Sequence, residues 1–140
     1  MGAFLSRDPV ADDDLRHLQP LTGLRFLDFS NTTITGAGFT HLKGLGELSL
    51  LDLTGSAITD AGLAELDQWS GLRSLSLSKT AVGDAELMSI GGLKKLQKLT
   101  LYYTKVSDAG MSEVGQALPQ CSIDANRLDV RKLFPLRYAH

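Results

Sequence analysis

The sequence predicts an α/β solenoid, in which one short strand and one short helix recur at a constant period and stack on their copies. Two observations predict this fold. The motif LxxLxL occurs four times, beginning at Leu24, Leu48, Leu72 and Leu96, and a fixed internal period of this size is typical of repeat architectures. A second pattern, clearest as ITDAGLAEL, follows each motif. Neither segment can bury its apolar face alone, so the copies must pack against each other.

Each LxxLxL motif predicts a short strand, because its apolar residues alternate with polar ones. When the copies are aligned, the residues after the motif also match, and we call each set of equivalent residues a column. One column holds small hydroxyl residues: Thr32, Ser56, Thr80 and Thr104. Another is apolar and closes each copy: Leu45, Trp69, Leu93 and the weaker Ala117. The strands are expected to run parallel, since helical crossovers join them.

The second half of each copy predicts a helix start. Thr59 is a candidate N-cap, and Leu63 and Leu66 share one helix face. An acidic residue recurs one position after the cap, as Asp12, Asp60, Asp84 and Asp108. Carboxylates are electrostatically favoured at helix N-termini. We interpret this column, and the run Asp12 to Asp14, in that way and not as a cation site.

The pattern LxxLxLxxT, followed by ITDAGL and a closing leucine, resembles the leucine-rich repeat family, in particular its bacterial and cysteine-containing classes. The resemblance covers about residues 10–125. It implies a curved parallel sheet on the concave side and short helices on the convex side. The family most often has asparagine where this chain has Thr32 and its equivalents. A threonine hydroxyl can also bond to buried loop backbone, with fewer hydrogen bonds available.

The 140 residues are expected to form one domain. Residues 1–23 are interpreted as a worn first repeat that acts as an N-terminal cap, residues 24–119 as four full repeats, and residues 120–140 as a C-terminal cap. In the last segment, Asn126 and Asp129 predict a helix start and Pro135 its end. The N-terminal cap is thin, which favours either a partner at that end or a fragment of a longer repeat array.

Composition narrows the class of protein. The single cysteine, Cys121, excludes an intrachain disulfide framework and a cysteine-based zinc cluster. No apolar run approaches the roughly 18 residues of a membrane span, so a cytoplasmic location is expected. Residues 1–70 hold four basic and ten acidic side chains, and residues 71–140 hold ten basic and six acidic ones. In an elongated molecule this asymmetry of charge would steer partners.

The N-terminal stretch MGAFLS matches an N-myristoylation pattern through Gly2 and Ser6. We favour a structural interpretation, because Ala3 and Leu5 fall in the columns of Leu27 and Phe29 and so predict a first strand. A membrane is therefore not an expected partner.

No catalytic, cofactor or metal site is predicted. His17 and His41 lie one period apart, and Glu65 follows in the same column, which indicates a stack on the outer surface and not a set of metal ligands. Nucleic acid is a weaker alternative partner. It would use the basic cluster Lys94, Lys95, Lys98 and Lys105 beside two tyrosines. The pI of 5.9 argues against this partner.

The stretch LYYTKV contains Tyr102 and Tyr103. The columns of Thr104 and Val106 must point inward, so the chain turns after Leu101 and neither tyrosine needs to be in the core. The residues equivalent to Tyr102 and Tyr103 in the other copies are polar, which predicts that both tyrosines lie on a solvated face. The rings either lie flat over their neighbours or act as binding anchors, since exposed tyrosines are common in interface hot spots.

The other outward columns complete a predicted partner-binding surface. Phe26 and Leu50 would form an apolar spot beside two aspartates, unless the N-terminal segment, with Phe4, folds over it. The residues expected to contact a partner are Phe26, Asp28, Leu50, Asp52, Lys79, Lys98, Tyr102 and Tyr103.

These observations favour a non-catalytic adaptor that binds a protein partner through its concave face. The alternative is a constitutive structural subunit of a larger multi-protein assembly, held by its ends and outer surface. The sequence specifies a surface and leaves the identity of the partner open.

Overall fold

The computed structural model of the protein describes residues 1–125 and contains one parallel sheet of six strands in sequence order. The strands have three residues each: β1 (Gly2–Phe4), β2 (Phe26–Asp28), β3 (Leu50–Asp52), β4 (Ser74–Ser76), β5 (Lys98–Thr100) and β6 (Ser122–Asp124). The strand β6 begins the segment predicted as a C-terminal cap. The cap helix expected between Asn126 and Pro135 lies outside the described residues.

The register of the sheet follows the sequence period. Each strand residue pairs with its equivalent in the next copy, as in Leu27 with Leu51 and Leu75 with Leu99. The middle residue of β2 to β5 is completely buried, and the residues on either side of it belong to the other face of the sheet. The predicted α/β leucine-rich repeat solenoid, with parallel strands, is confirmed.

Short helices connect the strands on the side opposite the concave face. Within residues 1–125, three are α-helices: α1 (Asp60–Ala64), α2 (Asp84–Leu87) and α3 (Asp108–Ala117). Four more in this range are 3-10 helices: Asp12–Leu18, Ala37–Leu42, Glu65–Gln68 and Met88–Ile90. Helices were expected here, but the first two copies are 3-10 throughout. Neither of these two helices begins with a side-chain cap, whereas Thr59 and Ser107 accept backbone N–H bonds at the starts of α1 and α3.

The core lies between the sheet and these helices. Aliphatic side chains dominate it, and a short aromatic row runs through its middle. The rings of Phe29 and Phe39 stack with centroids 6.3 Å apart, and Phe39 meets Trp69 edge to face at 5.2 Å. The indole Nε1 of Trp69 donates to the carbonyl of Leu42 at 3.2 Å, so the ring is buried without an unpaired donor.

The last copy differs from the sequence expectation in one core position. Leu118 is buried, and Ala117 only packs against the core from a half-buried position. The reason is that α3 continues as an α-helix to Ala117, whereas the preceding copies change to 3-10 turns. The helix thereby shifts its closing residue by one position.

The hydroxyl column bonds to buried loop backbone as predicted, with one exception. The Oγ1 atoms of Thr32 and Thr80 each donate to the carbonyl three residues earlier at 2.6 Å, and that of Thr104 does so at 3.1 Å. Ser56 is buried too, but its Oγ has no hydrogen-bond partner within the described residues. A buried hydroxyl without a partner contributes no stability.

We therefore expect Thr80→Ala and Ser56→Ala to differ, although both remove a buried hydroxyl from the same repeat position. Loss of the Thr80 bond to Leu77 should lower the free energy of unfolding by about 1–2 kcal/mol. Ser56→Ala should leave it unchanged or raise it slightly. Urea denaturation followed by circular dichroism measures both, and equal losses would contradict the assignment.

Two members of the aspartate column, Asp12 and Asp84, have a role that the helix-dipole interpretation did not predict, because each links its repeat to the next one. The carboxylate of Asp12 accepts hydrogen bonds from Thr35 N (3.1 Å), Thr35 Oγ1 (2.9 Å), Gly36 N (3.0 Å) and Gly38 N (3.1 Å). A Cβ on Gly38 would lie 2.1 Å from the backbone oxygen of Asp12. The glycine therefore permits the close approach of the two repeats.

The same link recurs between the last two full copies. The carboxylate of Asp84 accepts from the backbone N–H of Ser107 at 2.6 Å and from the Ser107 hydroxyl. A Cβ on Gly110 would lie 2.2 Å from Asp84 Oδ1. The pattern is thus an aspartate, then a serine or threonine at an offset of 23, and then a glycine at an offset of 26.

The hydrogen bonds to Asp12 make this link sensitive to acid. Burial raises the pKa of the Asp12 carboxyl, but the bonds from Gly38, Thr35 and Gly36 together outweigh burial and hold the pKa below its ordinary value of 3.8. A lowered pKa contributes stability that is complete above the unfolded value of 3.8 and is lost as the pH falls through the folded value.

Asp12→Ala should lower the free energy of unfolding at pH 7 by about 1–3 kcal/mol, because several donors lose a charged acceptor. The difference from wild type should shrink as the pH falls below about 4. Asp60→Ala is the matched control. Asp60 holds the same repeat position at the start of α1 but is exposed and makes no bond to the next repeat within residues 1–125, so only a few tenths of a kcal/mol should be lost. A pH-independent difference for Asp12→Ala would refute the role of the carboxylate.

Candidate functional site

The concave face is formed by the first and third residues of each strand and by the residues that follow the strand. The predicted contact residues occupy these positions on neighbouring strands. Phe26 pairs with Leu50, and Asp28 pairs with Asp52. Lys98 begins β5, and Lys79 and the two tyrosines follow β4 and β5. The structure thus brings the predicted residues to one face, although at two separate places on it.

The first place is an apolar patch of Phe4, Phe26 and Leu50. The first strand predicted from Ala3 and Leu5 is present, and the alternative in which the N-terminal segment folds over Phe26 is not what the structure has. Instead β1 extends the sheet beside β2, with Gly2 opposite Phe26 and Phe4 opposite Asp28. Phe26 stays 42% exposed and Phe4 is 70% exposed. The N-terminal strand therefore enlarges the apolar surface, and adjacent exposed apolar side chains of this kind mark interaction sites.

The two aspartates beside the patch hold the ends of their strands. Asp28 Oδ1 accepts from Ser30 N at 2.9 Å and from Ser30 Oγ at 2.6 Å, and Asp52 Oδ1 accepts from Thr54 N at 2.9 Å. Both carboxylates are half-buried. Such local bonds define a turn of the backbone, so these residues have a structural role, and their contact with a partner remains a prediction.

The second place is built on Tyr102 and Tyr103. The predicted turn after Leu101 is confirmed, because Tyr103 has a left-handed backbone with φ of 57°. The equivalent residues of the other copies share this conformation and form what we call the left-handed row: Arg7, Asn31, Gly55, Lys79 and Tyr103. The Tyr103 side chain is 67% exposed, which is far outside the core.

The polar residues in the column of Tyr102 were predicted to be exposed to solvent, and this prediction is wrong. Ser30 and Ser78 are buried in this column. Ser30 Oγ, whose proton goes to Asp28, accepts from the Ser6 hydroxyl at 2.9 Å, and Ser78 Oγ accepts from Tyr102 N at 3.0 Å. Small hydroxyl residues are buried here because they bond to each other and to the neighbouring backbone. A tyrosine ring is too large for that space, and Tyr102 remains 37% exposed.

The two tyrosines border an open groove of about 640 Å³, which we call the tyrosine groove. Hydroxyl-bearing residues from three consecutive strands form its floor, and Lys79 lies on its border. The residues that line it are Thr54, Ser76, Ser78, Lys79, Thr100, Tyr102, Tyr103 and Ala125. Its volume is in the range of peptide and small-ligand sites, but its shallow form suits a side chain of a larger partner.

The tyrosine groove has one charged residue in its lining, Lys79, and the carboxylate of Asp124 lies beside its floor residue Thr100. Lys98 Nζ lies 4.0 Å from Asp124 Oδ2, and both side chains are open to solvent, so this ion pair is weak. Lys79 is exposed and has no carboxylate within ion-pair distance among residues 1–125. Within residues 1–125, the concave face therefore carries two carboxylates beside the apolar patch and, beside the tyrosines, an exposed lysine without an ion-pair partner.

Other candidate chemistry does not converge on this face. Among residues 1–125, no group of three histidine, cysteine, aspartate or glutamate side chains is placed to hold a metal ion. Burial, together with the negative charge of Asp124, raises the pKa of the Cys121 thiol, which disfavours the reactive thiolate. No helix in this part of the chain has the length and apolar character needed to cross a membrane. Gly2 lies in β1 and Ser6 bonds to Ser30, which supports the structural interpretation of MGAFLS.

Comparison with known proteins places the fold. A family model described as a leucine-rich repeat matches residues 48–66. The chain is similar to the crystal structure of an internalin (inlF) from Listeria monocytogenes, with 26% identity and a TM-score of 0.63 over 80% of this chain. It is also similar in fold to a leucine-rich repeat protein from Leptospira interrogans, with 24% identity and a TM-score of 0.55 over 78% of this chain.

The aligned regions are parts of larger proteins. They cover 31% of the internalin and 33% of the Leptospira protein, so this chain matches about a third of each. No curated protein sequence matches the chain. The similarity therefore concerns the repeat architecture.

A pair of substitutions tests the structural role of the concave aspartates. Asp28→Ala removes the acceptor of two hydrogen bonds and should lower the free energy of unfolding by about 1–2 kcal/mol. Asp28→Asn retains a side-chain oxygen at the same position and should lose clearly less. Thermal denaturation of both variants measures the difference. Equal stability of the two variants would show that the turn does not depend on this oxygen.

Proposed function

We propose that this chain, which is a leucine-rich repeat protein, is a non-catalytic module that binds a protein partner through its concave face. Domains of this architecture generally bind proteins, and the proteins that resemble this chain are typically not enzymes. The choice of the concave face as the binding surface is argued from its large exposed side chains.

The observation that carries the proposal is the presence of large exposed side chains where other copies have small polar ones. Tyr102 occupies the position of Ser30 and Ser78, and Phe26 that of Ser74. The copies with serine form the same strand and turn, so folding does not require the rings. Exposed aromatic side chains are costly for solubility and are enriched at the centres of interfaces.

The backbone of Tyr103 supports the same conclusion. A left-handed conformation is unfavourable for a bulky side chain by roughly 1–2 kcal/mol, and Gly55 adopts it in the equivalent turn. The turn imposes this conformation on every described copy, and the largest side chain of the row therefore stands at a position where a smaller one would be less strained. The 67% exposure of Tyr103 also disfavours the alternative in which its ring lies flat on its neighbours, an arrangement that suits Tyr102 better.

The competing function is that of a structural subunit held by its ends and outer surface. It requires that changes on the concave face have no effect on association. A cytoplasmic location remains a prediction, and so does the absence of catalysis.

Two substitutions taken from the chain's own repeats test the proposal. Tyr102→Ser and Tyr103→Asn install the residues found at Ser30 and Asn31, so both turns keep residues that already adopt these conformations. The double variant should keep its melting temperature within a few degrees. It should lose partners captured by the wild-type chain, with an affinity loss of more than about 1 kcal/mol measured on the purified pair.

Met88→Ser is the matched control, because it removes another exposed apolar side chain, one that lies in a 3-10 helix away from the concave face. Its captured proteins should equal those of wild type. If the tyrosine variant retained every partner while Met88→Ser lost them, the binding surface would be the helical side. If the tyrosine variant melted much earlier, the rings would be structural.

A further inference from the structure

We infer that the concave face recognises an extended peptide segment of its partner in which an apolar side chain and a carboxylate are separated by about six residues. This inference rests on the proposed function and adds the chemistry of the ligand. The apolar side chain would sit on the apolar patch, and the carboxylate beside Lys79 in the tyrosine groove. Both places and the distance between them follow from the structure.

The apolar patch selects against acidic residues. Phe4, Phe26 and Leu50 lie on three adjacent strands, and Asp28 and Asp52 are the third residues of two of these strands. An apolar side chain would gain from burial against the rings. A carboxylate at the same place would face two negative charges, and like charges in an interface disfavour the wrong ligand.

The tyrosine groove favours an acidic residue at Lys79, since the carboxylate of Asp124 beside its floor is paired with Lys98. Lys79 is exposed and pairs with no carboxylate of the described chain. Tyr102 and Tyr103 border the same groove, and their phenol hydroxyls are hydrogen-bond donors. A carboxylate placed there would receive a charge-assisted bond from the ammonium group, which is stronger than a bond between neutral groups. The two places on the face thus favour different residues of the ligand, an apolar one at the apolar patch and an acidic one at the tyrosine groove.

The spacing follows from the regular sheet. Phe26 and Lys79 are separated by two strand steps, from β2 to β4, which amounts to about 10 Å across the sheet. Lys79 lies five residues further along its chain than Ser74, the equivalent of Phe26, which adds about 16 Å in the perpendicular direction. The diagonal is about 19 Å, and an extended peptide covers it with about six residues. The direction of the peptide chain is left open by this geometry.

Selection from a phage-displayed library of random 12-residue peptides tests the inference on the full chain. The enriched peptides should contain an apolar residue and an acidic residue about five to seven positions apart, in one consistent order. Enriched peptides without this pair, or with the acidic residue next to the apolar one, would overturn it. Failure to enrich any peptide would also overturn it, while partner capture that depends on the tyrosines would still support the proposed function.

Charge reversal on an enriched peptide provides the sharper measurement. Lys79→Glu should weaken binding of the acidic peptide at least tenfold, and replacement of the peptide's acidic residue by lysine should restore binding to this variant. Lys95→Glu makes the same change of charge on an exposed lysine outside the groove and should have less than a twofold effect. Fluorescence polarisation at 50 and 300 mM salt measures all combinations. Equal losses for the two variants would show a general effect of charge and refute the contact at Lys79.

Discussion

The fold depends on the contact between each apolar strand residue and its equivalents in the two neighbouring copies. A single copy has a three-residue strand and a helix of a few turns at most, which have too little surface to form a core. Stacking supplies it, because Leu51 is covered by Leu27 on one side and Leu75 on the other. Backbone hydrogen bonds likewise join each copy to the next one. Stability in such a chain is approximately a sum of neighbouring interfaces, so a defect between two copies weakens the molecule there first.

This constraint applies to the core side of the sheet and leaves the concave side free to vary. Equivalent positions hold Phe26, Leu50, Ser74 and Lys98, yet the strands that carry them have the same length and register. Differences between copies on this face are therefore not explained by folding. The apolar patch and the tyrosine groove are such differences, and their separation gives the face one apolar and one cationic end.

Much of the architecture could be predicted because it depends on period and hydrophobicity. The leucines placed the strands correctly, and the inward columns placed the turn before Thr104. Two features depend on three-dimensional geometry that the repeat period of the sequence does not indicate. Leu118 replaces Ala117 because α3 remains α-helical to its end. Asp12 bonds across to Thr35 and Gly38, a contact between copies that local helix propensity does not indicate.

The candidate site was likewise predictable from the sequence only in part. The exposure of Tyr103 followed from its polar column. The column of Tyr102 was wrongly predicted to be solvated, because Ser30 and Ser78 are buried in it. A serine is compatible with solvent and with a buried hydrogen bond, so its type alone does not decide between them. The orientation of β1 was also beyond the sequence, since Phe4 could either cover Phe26 or extend the same surface. An aspartate, a hydroxyl residue and a glycine at offsets of 0, 23 and 26 would have indicated the link between repeats.

The left-handed row has a consequence for how this surface can evolve. Its members range from glycine to tyrosine, so selection can replace a residue here without rebuilding the core. The freedom is not complete, because Asn31 lies against Gly55, and a Cβ on that glycine would lie 2.5 Å from Asn31 Oδ1. Where two members of the row lie this close, the residue in one copy restricts its equivalent in the next. At such pairs, new binding preferences should arise through paired replacements in adjacent copies, so that diversification proceeds by coupled steps along the sheet.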